Sequence, residues 1–259
     1  MRVRVNKAAV GWQWVRQGVL TFFRQPLAMS GLFFMFMAIA TVLSFVPQLG
    51  TVVSLALVPA ATLGLMAATR VAGEGHFPMP VLLFTAFRGG KPRTQAMLML
   101  GALYAVSLMV VLGISRLFAG DAPVPTPDVD MSPEAVSAAI ITPVTWVAML
   151  LYVPVLMAFW HAPALVFWHG VKPLKSLFFS LIACWSNKGA LFLFTLGWVG
   201  VFMVVGLALG LLGSVLGGAQ ALSIVVYPMV LLMASMYHTS LWFTFRASFE
   251  FDEPDTAPN

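Results

Sequence analysis

Two of the four histidines are the side chains of this sequence best suited to hold a metal. His161 and His238 lie late in two apolar runs, at comparable depth, as a metal or haem pair would require. No carboxylate stands near either residue in sequence, and no HExxH motif accompanies them. We therefore expect no bound metal and no cofactor. Because ionisable groups inside a membrane are functional by default, both histidines remain weak candidates for a functional site.

The chain has one cysteine, Cys184, which excludes an internal disulfide and a CxxC pair. It stands beside Trp185 on an apolar stretch, so we expect a small packed residue and not a reactive thiol. No nucleophile and base occur in a recognisable pattern, so the sequence predicts no catalytic residue and a protein that is not an enzyme.

The composition of the chain indicates the class of protein in which these histidines and the cysteine are placed. The 259 residues are 60% hydrophobic and only 9% charged, against about 25% charged in soluble domains. The apolar residues come in blocks, which is typical of a polytopic membrane protein. The net charge of +5 is spread over short loops, which indicates topology signals and lipid contacts, and no nucleic-acid binding.

Six apolar runs are long enough to cross a bilayer as helices, which takes about 20 residues each. None contains an acidic residue, a lysine or an arginine, and turn residues separate them. The predicted spans are Leu27–Val46, Thr51–Thr69, Ala96–Ser115, Ile141–Trp160, Ala190–Leu212 and Ala221–Phe245. The predicted fold is all-α, with residues 1–247 forming one membrane domain and 248–259 a disordered acidic cytoplasmic tail.

Thirteen of the fourteen lysines and arginines fall on one side of this six-span arrangement, and Arg116 alone falls on the other. The positive-inside rule therefore predicts that both termini are cytoplasmic. The location expected from this is the bacterial inner membrane, with multiple crossings.

The stretch "GWQWVRQGVLTFFRQP" at 11–26 predicts an amphipathic helix lying on the cytoplasmic surface of the membrane. Its apolar face would carry Trp12, Val15, Val19, Phe22 and Phe23, and Pro26 would end it. Trp14 falls on the polar side and is expected at headgroup level, with Arg16 as a further anchor.

The same design recurs twice, at 80–93 and at 172–189, so we predict three parallel units of surface helix plus hairpin, over about 8–72, 78–169 and 172–247. The third surface helix has an apolar face with Leu174, Leu177, Phe178, Leu181 and Trp185, opposite Ser176, Ser180 and Asn187. Lys172, Lys175 and Trp185 are its expected anchors. Each second span of a unit holds an internal proline: Pro59, Pro154 and Pro228.

Basic residues stand at each turn from surface helix to span. These hinge residues are Arg24, Arg88, Lys91, Arg93 and Lys188. Around a common axis they would form a ring that holds anionic lipid headgroups, since each contributes about 1 kcal/mol near an anionic surface. The alternative is that each only fixes topology and reaches the interface by itself.

The segment "GWQWVRQGVLTFFRQPLAMSGLFFMF", followed by "VPQLG" and "VPAATLGLMAATRVAGEGHFP", resembles a family of bacterial six-span inner-membrane proteins to which no activity is assigned. The alternation of surface helix and hairpin is also similar to the membrane domain attached to some glycerophosphodiester phosphodiesterases. The resemblance implies six helices in an inner membrane and carries over no catalytic residue.

The sequence favours a non-enzymatic inner-membrane protein that organises lipids, expected to be anionic, or a membrane-protein partner. The alternative is a transporter or channel for an uncharged or amphipathic solute, with Tyr104, Ser107, Tyr152, Ser235 and Thr239 along a weakly polar path. A membrane-embedded enzyme or haem protein is a third possibility. Against transport, no span carries a charge, and parallel repeats differ from the inverted repeats of many transporters.

Overall fold

The structure is a computed structural model that describes residues 1–47, 49–118, 142–215 and 219–251. Within these residues the fold is all-α, apart from two short strands, β1 (Arg2–Val3) and β2 (Phe249–Glu250). A 3-10 helix occupies Pro80–Phe87. The α-helices are α1 (Val10–Arg24), α2 (Pro26–Ser44), α3 (Gly50–Gly73), α4 (Lys91–Arg116), α5 (Pro143–Trp160), α6 (Ala162–His169), α7 (Pro173–Ser186), α8 (Lys188–Val215) and α9 (Ala219–Ser248).

Five helical stretches of the described residues are long and apolar enough to cross a membrane. They are Pro26–Ser44, Gly50–Gly73, Lys91–Arg116, Pro143–His169 and Lys188–Gly213. The sixth predicted span falls within α9, a helix of 30 residues whose second half carries a histidine and several hydroxyl side chains. A sixth crossing, the hairpin arrangement and the three-unit division therefore stay predictions.

The first helix is packed into the bundle, which corrects the expected position of Trp14. This indole is only 2% exposed and meets the ring of Phe194 on α8 edge to face, at 6.3 Å between centroids. The buried face of α1 carries Gly11, Trp14, Val15, Gly18, Thr21 and Phe22. Of the predicted apolar face, Trp12 and Phe23 point outward and are more than half exposed.

Two glycines explain why this face is the buried one. A Cβ atom on Gly11 would collide with the carbonyl oxygen of Ala190 on α8. A Cβ atom on Gly18 would stand 2.5 Å from the Cβ of Ser240 on α9. Since glycine has no side chain, α1 approaches both helices closely enough to seat Trp14 between them. The predicted apolar face was based on large apolar residues alone, so it did not include these two glycines.

The predicted faces of α7 are present, and the serine face is the one that packs inward. Ser176 and Ser180 are fully buried, whereas Leu174, Phe178 and Trp185 are exposed. An outward apolar face and an inward face of small polar residues suit a helix whose surroundings are lipid.

Ser180 completes the backbone hydrogen bonding of a break between α5 and α6. Its hydroxyl accepts a bond from the His161 backbone N–H at 2.9 Å and donates to the Met157 carbonyl at 2.7 Å. In an unbroken helix these two backbone groups would bond to each other. The serine therefore takes the place of one helical hydrogen bond, which allows the chain to bend at His161.

The two chain ends described are joined at one end of the molecule. β1 pairs antiparallel with β2, and the Arg4 N–H donates to the Ser248 carbonyl at 2.9 Å. Asn187, at the start of α8, is 2% exposed and accepts from the Asn6 N–H at 2.8 Å. Its amide nitrogen donates to the Arg4 carbonyl at 2.9 Å.

These bonds move the boundary of the predicted disordered tail. Ser248 ends α9 and Phe249–Glu250 form β2, so residues 248–250 belong to the folded part because they pair with the N-terminal segment. Phe251 joins them by stacking on His169, with 3.3 Å between ring centroids. The rest of the predicted tail, 252–259, lies outside the described residues.

Candidate functional site

A cleft of about 530 Å³ opens between α1, α3 and α9, near the last turn of each helix. Its lining is rich in cationic and amide side chains. The lining residues are Gln17, Leu20, Thr21, Arg24, Thr69, Arg70, Gly73, Glu74, Trp242, Phe243 and Arg246. We call this the arginine cleft.

Two of the three arginines are partly engaged with the end of α3. The Arg24 Nη1 donates to the Gly73 carbonyl at 2.8 Å, which caps a carbonyl that has no partner within the helix. Arg70 pairs with Glu74 one turn on, with 3.2 Å between Nε and Oε1. Both side chains of this pair are 55% exposed, so the pair contributes little to stability.

Arg246 has a different environment. Within the described part of the chain it is exposed and forms no hydrogen bond or ion pair. It sits in the last turn of α9, where a cation interacts favourably with the helix dipole. Its guanidinium therefore keeps all five of its N–H donors for a ligand.

A second cleft, of about 420 Å³, adjoins the first and shares Gln17, Phe243 and Arg246 with it. It adds Arg4, which pairs with Glu250 at 3.6 Å, and the amide of Gln13. Among the described residues, four arginines and one carboxylate, Glu74, line the two clefts, and a second carboxylate, Glu250, pairs with Arg4 from outside them. The joint surface is a net cationic patch.

This arrangement suits an anion that carries several oxygen acceptors. A guanidinium presents a planar fork of donors that matches phosphate bidentately. The glutamine amides add neutral donors, and Trp242 and Phe243 supply apolar walls beside them. A phosphate with an attached apolar group would find partners for both parts.

The predicted hinge residues have different local environments in the structure. Arg24 joins the arginine cleft. The Arg93 guanidinium lies 5.7 Å from the ring centre of Phe167, and the Lys188 ammonium lies 5.1 Å from that of Trp185. Arg88 and Lys91 flank the turn into α4 and are exposed. No described contact joins these residues to each other, and lipid binding by a shared ring stays a prediction.

The remaining predicted anchors lie at the surface. Arg16 is exposed on α1, and Lys172 and Lys175 are exposed at the start of α7. The Lys175 ammonium lies 5.5 Å from the ring centre of Phe179. Such contacts leave the charged head near the surface while the stem covers apolar rings.

The two candidate histidines occupy separate places. His161 is 1% exposed and packs edge to face on Phe249, with 5.4 Å between ring centroids. His238 lies against Phe33 at 5.1 Å, and its Nδ1 bonds to the Ala234 carbonyl at 2.8 Å. Among the residues that the structure describes, no three His, Cys, Asp or Glu side chains come together as a metal site.

Cys184 is fully buried on the inner face of α7. Burial raises the pKa of its thiol to about 12. The Sγ donates to the Met157 carbonyl at 3.5 Å. Because the thiolate is the reactive form, this site favours the packed residue expected from the sequence.

The residues that sequence reasoning missed are Arg246, Arg70 and the two glutamines of the clefts. Arg70 and Arg246 were counted only as topology signals, although each stands in the last turn of a long helix. This shared position could have predicted that the two arginines lie near each other, because helices that end on the same side of a membrane bring their last turns to one surface.

Comparison with known proteins gives a relative over nearly the whole chain. The sequence is 36% identical over 258 residues to a probable inner membrane protein of Burkholderia thailandensis, covering 95% of this chain and 93% of that protein. No family model matches the chain, and no solved structure matches it. The predicted multi-pass inner-membrane location is confirmed at this level, while the likeness to phosphodiesterase membrane domains stays a prediction.

Proposed function

Because the chain belongs to the same family of inner-membrane proteins as this relative, we propose that it binds anionic lipid through the arginine cleft and so organises lipids or a partner protein. It acts without catalysis. The observation that carries the proposal is the excess of arginine over carboxylate in the two adjoining clefts, with Arg246 unpaired among the described residues.

Orientation supports this assignment. We propose that the end of the molecule with the paired strands faces the cytoplasm, as the distribution of lysine and arginine predicts. The cytoplasmic leaflet carries the surface potential that attracts clustered arginines, worth about 1 kcal/mol for each. The cleft then stands at the level where lipid phosphates lie.

The surroundings of the cleft also suit a lipid and not a free phosphate. Leu20 and Phe23 are exposed beside it on α1, and Trp242 and Phe243 line its wall. Acyl chains require such apolar surface next to the phosphate site, whereas a soluble anion gains nothing from it.

The test is lipid retention in native mass spectrometry of the purified protein. Arg246→Gln should weaken binding of phosphatidylglycerol or cardiolipin about fivefold, and Arg246→Gln with Arg70→Gln about twentyfold to thirtyfold. Arg116→Gln is the matched control, since Arg116 is also exposed in the last turn of a long helix but lies outside both clefts.

Equal retention by the double variant and the control contradicts the proposal. Retention that inorganic phosphate displaces as efficiently as phosphatidylglycerol also contradicts it, since the site would then recognise phosphate alone. Loss of lipid in the cleft variants, with insertion and thermal unfolding unchanged, supports it.

A further inference from the structure

A second cavity, of about 370 Å³, lies between α9 and three helices that carry candidate spans, α3, α4 and α5. Its volume falls in the range of small-molecule sites, which is about 300–1,000 Å³. Among the described residues, no Asp, Glu, Lys or Arg lines it. The cavity therefore favours an uncharged ligand, because none of its described lining side chains carries a permanent charge that would compensate for one on the ligand.

Tyrosines gather at this cavity. The chain has four tyrosines, and three of them line it: Tyr104 from α4, Tyr152 from α5 and Tyr237 from α9. Tyr152 is a neighbour of both Tyr104 and Tyr237 at this cavity. Three helices thus direct one polar group each to the same place in an apolar setting.

Close packing brings these tyrosines together. A Cβ atom on Gly101 would collide with the Ala56 carbonyl, so α4 lies against α3 and places Tyr104, three residues on, beside Pro59. Since Pro59 has no N–H, it leaves a helical carbonyl without its usual donor near the cavity wall.

His238 adds an acceptor to the three hydroxyls. Its Nδ1 lies 2.8 Å from the Ala234 carbonyl, and a carbonyl only accepts, so this nitrogen carries the proton. In the neutral ring Nε2 is then an acceptor. The cavity therefore offers hydroxyl donors and an imidazole acceptor.

Aromatic walls define the shape of the ligand. Tyr104 meets Phe159 edge to face at 5.0 Å, and the Trp160 indole also lines the cavity. The Trp160 Nε1 is already bonded to Thr244 at 3.0 Å, so this side chain offers its ring and not its donor. A flat ring with polar atoms on its edge fits such walls.

We propose that this cavity binds the ring of an uncharged lipid with carbonyl or hydroxyl groups, the chemistry of membrane quinones and quinols. Carbonyl oxygens of the ring accept from the tyrosine hydroxyls, and a ring hydroxyl donates to His238 Nε2. The proposal concerns binding alone and includes no electron transfer. It is independent of the arginine cleft and shares no residue with it.

The cavity also revises the polar path considered for transport. Tyr104 and Tyr152 of that path line the cavity, but the other three members do not. Ser107 donates to the Leu103 carbonyl and Ser235 to the Met29 carbonyl. Thr239 donates to the carbonyl of Ser235. Among the described residues, two of the five path residues thus meet at this cavity, and the path as a whole stays a prediction.

The test measures quenching of tryptophan fluorescence by ubiquinone-1, a short-chain quinone, with the full chain in nanodiscs. Binding should be saturable, and Trp160→Phe should remove most of the quenching. Tyr152→Phe should weaken affinity about fivefold to tenfold, because it removes a hydrogen bond in an apolar setting.

Tyr227→Phe is the matched control, because Tyr227 is 70% exposed and lies outside the cavity. The affinity of this variant for ubiquinone-1 should equal that of the unaltered protein. All variants are first checked for an unchanged thermal unfolding midpoint, so a folding defect is not read as lost binding.

Two results overturn the proposal. One is quenching that rises linearly with quinone and never saturates, since that indicates partition into lipid. The other is an affinity that changes less than twofold when Tyr104, Tyr152 and Tyr237 are all replaced by phenylalanine.

Discussion

Replacing Ser180 by alanine tests whether one hydroxyl holds the break between α5 and α6. The variant leaves the His161 N–H without an acceptor and removes the main donor to the Met157 carbonyl. The serine and His161 are at most 1% exposed, so water does not readily replace the lost bonds.

The expected cost follows from these two backbone groups. A buried polar group left without a partner costs about 1–3 kcal/mol. The carbonyl keeps a weak bond from the Cys184 thiol at 3.5 Å, so its share lies at the low end of that range. Together the two groups should lower the free energy of unfolding by about 2–4 kcal/mol.

The assay is reversible unfolding in mixed detergent micelles, followed by helical circular dichroism. Ser107→Ala is the matched control, because the Ser107 hydroxyl bonds only to the Leu103 carbonyl in its own helix. Removing that bond leaves the helical ladder intact and should change stability little. If Ser180→Ala costs no more than this control, α5 and α6 restore their own hydrogen bond, and the bridging role is refuted.

Two further predictions concern packing and topology. Gly11→Ala should strongly destabilise the protein, because its Cβ would meet the backbone of α8. Gly206→Ala should be tolerated, because among the described residues its Cβ would meet no atom within 4 Å beyond the backbone of its own helix and its chain neighbours. The thermal unfolding midpoint of each variant decides. Equal midpoints would show that α1 does not pack as described. Topology reporters fused at positions 48, 128 and 217, which lie outside the described residues, should be periplasmic. Reporters fused at Glu74, Lys175 and position 259 should be cytoplasmic. A single reporter on the opposite side would contradict the six-span arrangement.

The sequence located the helices well because membrane spans are long uniform apolar runs. Four of the six predicted spans fall within a helix, whereas Leu27–Val46 runs two residues past α2 and Ile141–Trp160 begins two residues before α5. The surface segment at 11–26 overlaps α1 from its second residue onward, and the segment at 172–189 contains α7. Hydropathy is a property of a single segment, so it can be read from the sequence without knowing which helices pack against that segment. Whether α9 crosses the membrane stays a prediction, because α9 is not among the five candidate spans of the described residues.

Hydropathy did not predict which face of α1 is buried. Trp14 was assigned to the lipid surface because an exposed indole is typical of headgroups, yet Gly11 and Gly18 bring α8 and α9 over it. Which residue a glycine faces depends on another helix about 180 to 220 positions away. No local pattern contains that information.

The candidate sites depend on such distant pairs. Arg246 is ordinary in its own segment and becomes distinctive only beside Arg24 and Arg70. The three tyrosines of the cavity come from helices that are far apart in sequence. Sequence reasoning singled out two of them as polar residues in apolar runs, but their meeting point required the fold.

The pairing of β1 with β2 constrains the order in which the molecule is built. Its first strand precedes all of the described helices, and its partner, Phe249–Glu250, follows α9. The pair can therefore form only after these helices have been synthesised. Gly11 of α1 packs on α8 and Gly18 packs on α9, so the glycine face of α1 stays uncovered until both of these later helices have been made. Closure of the bundle around α1 is therefore a late event in the synthesis of the described residues.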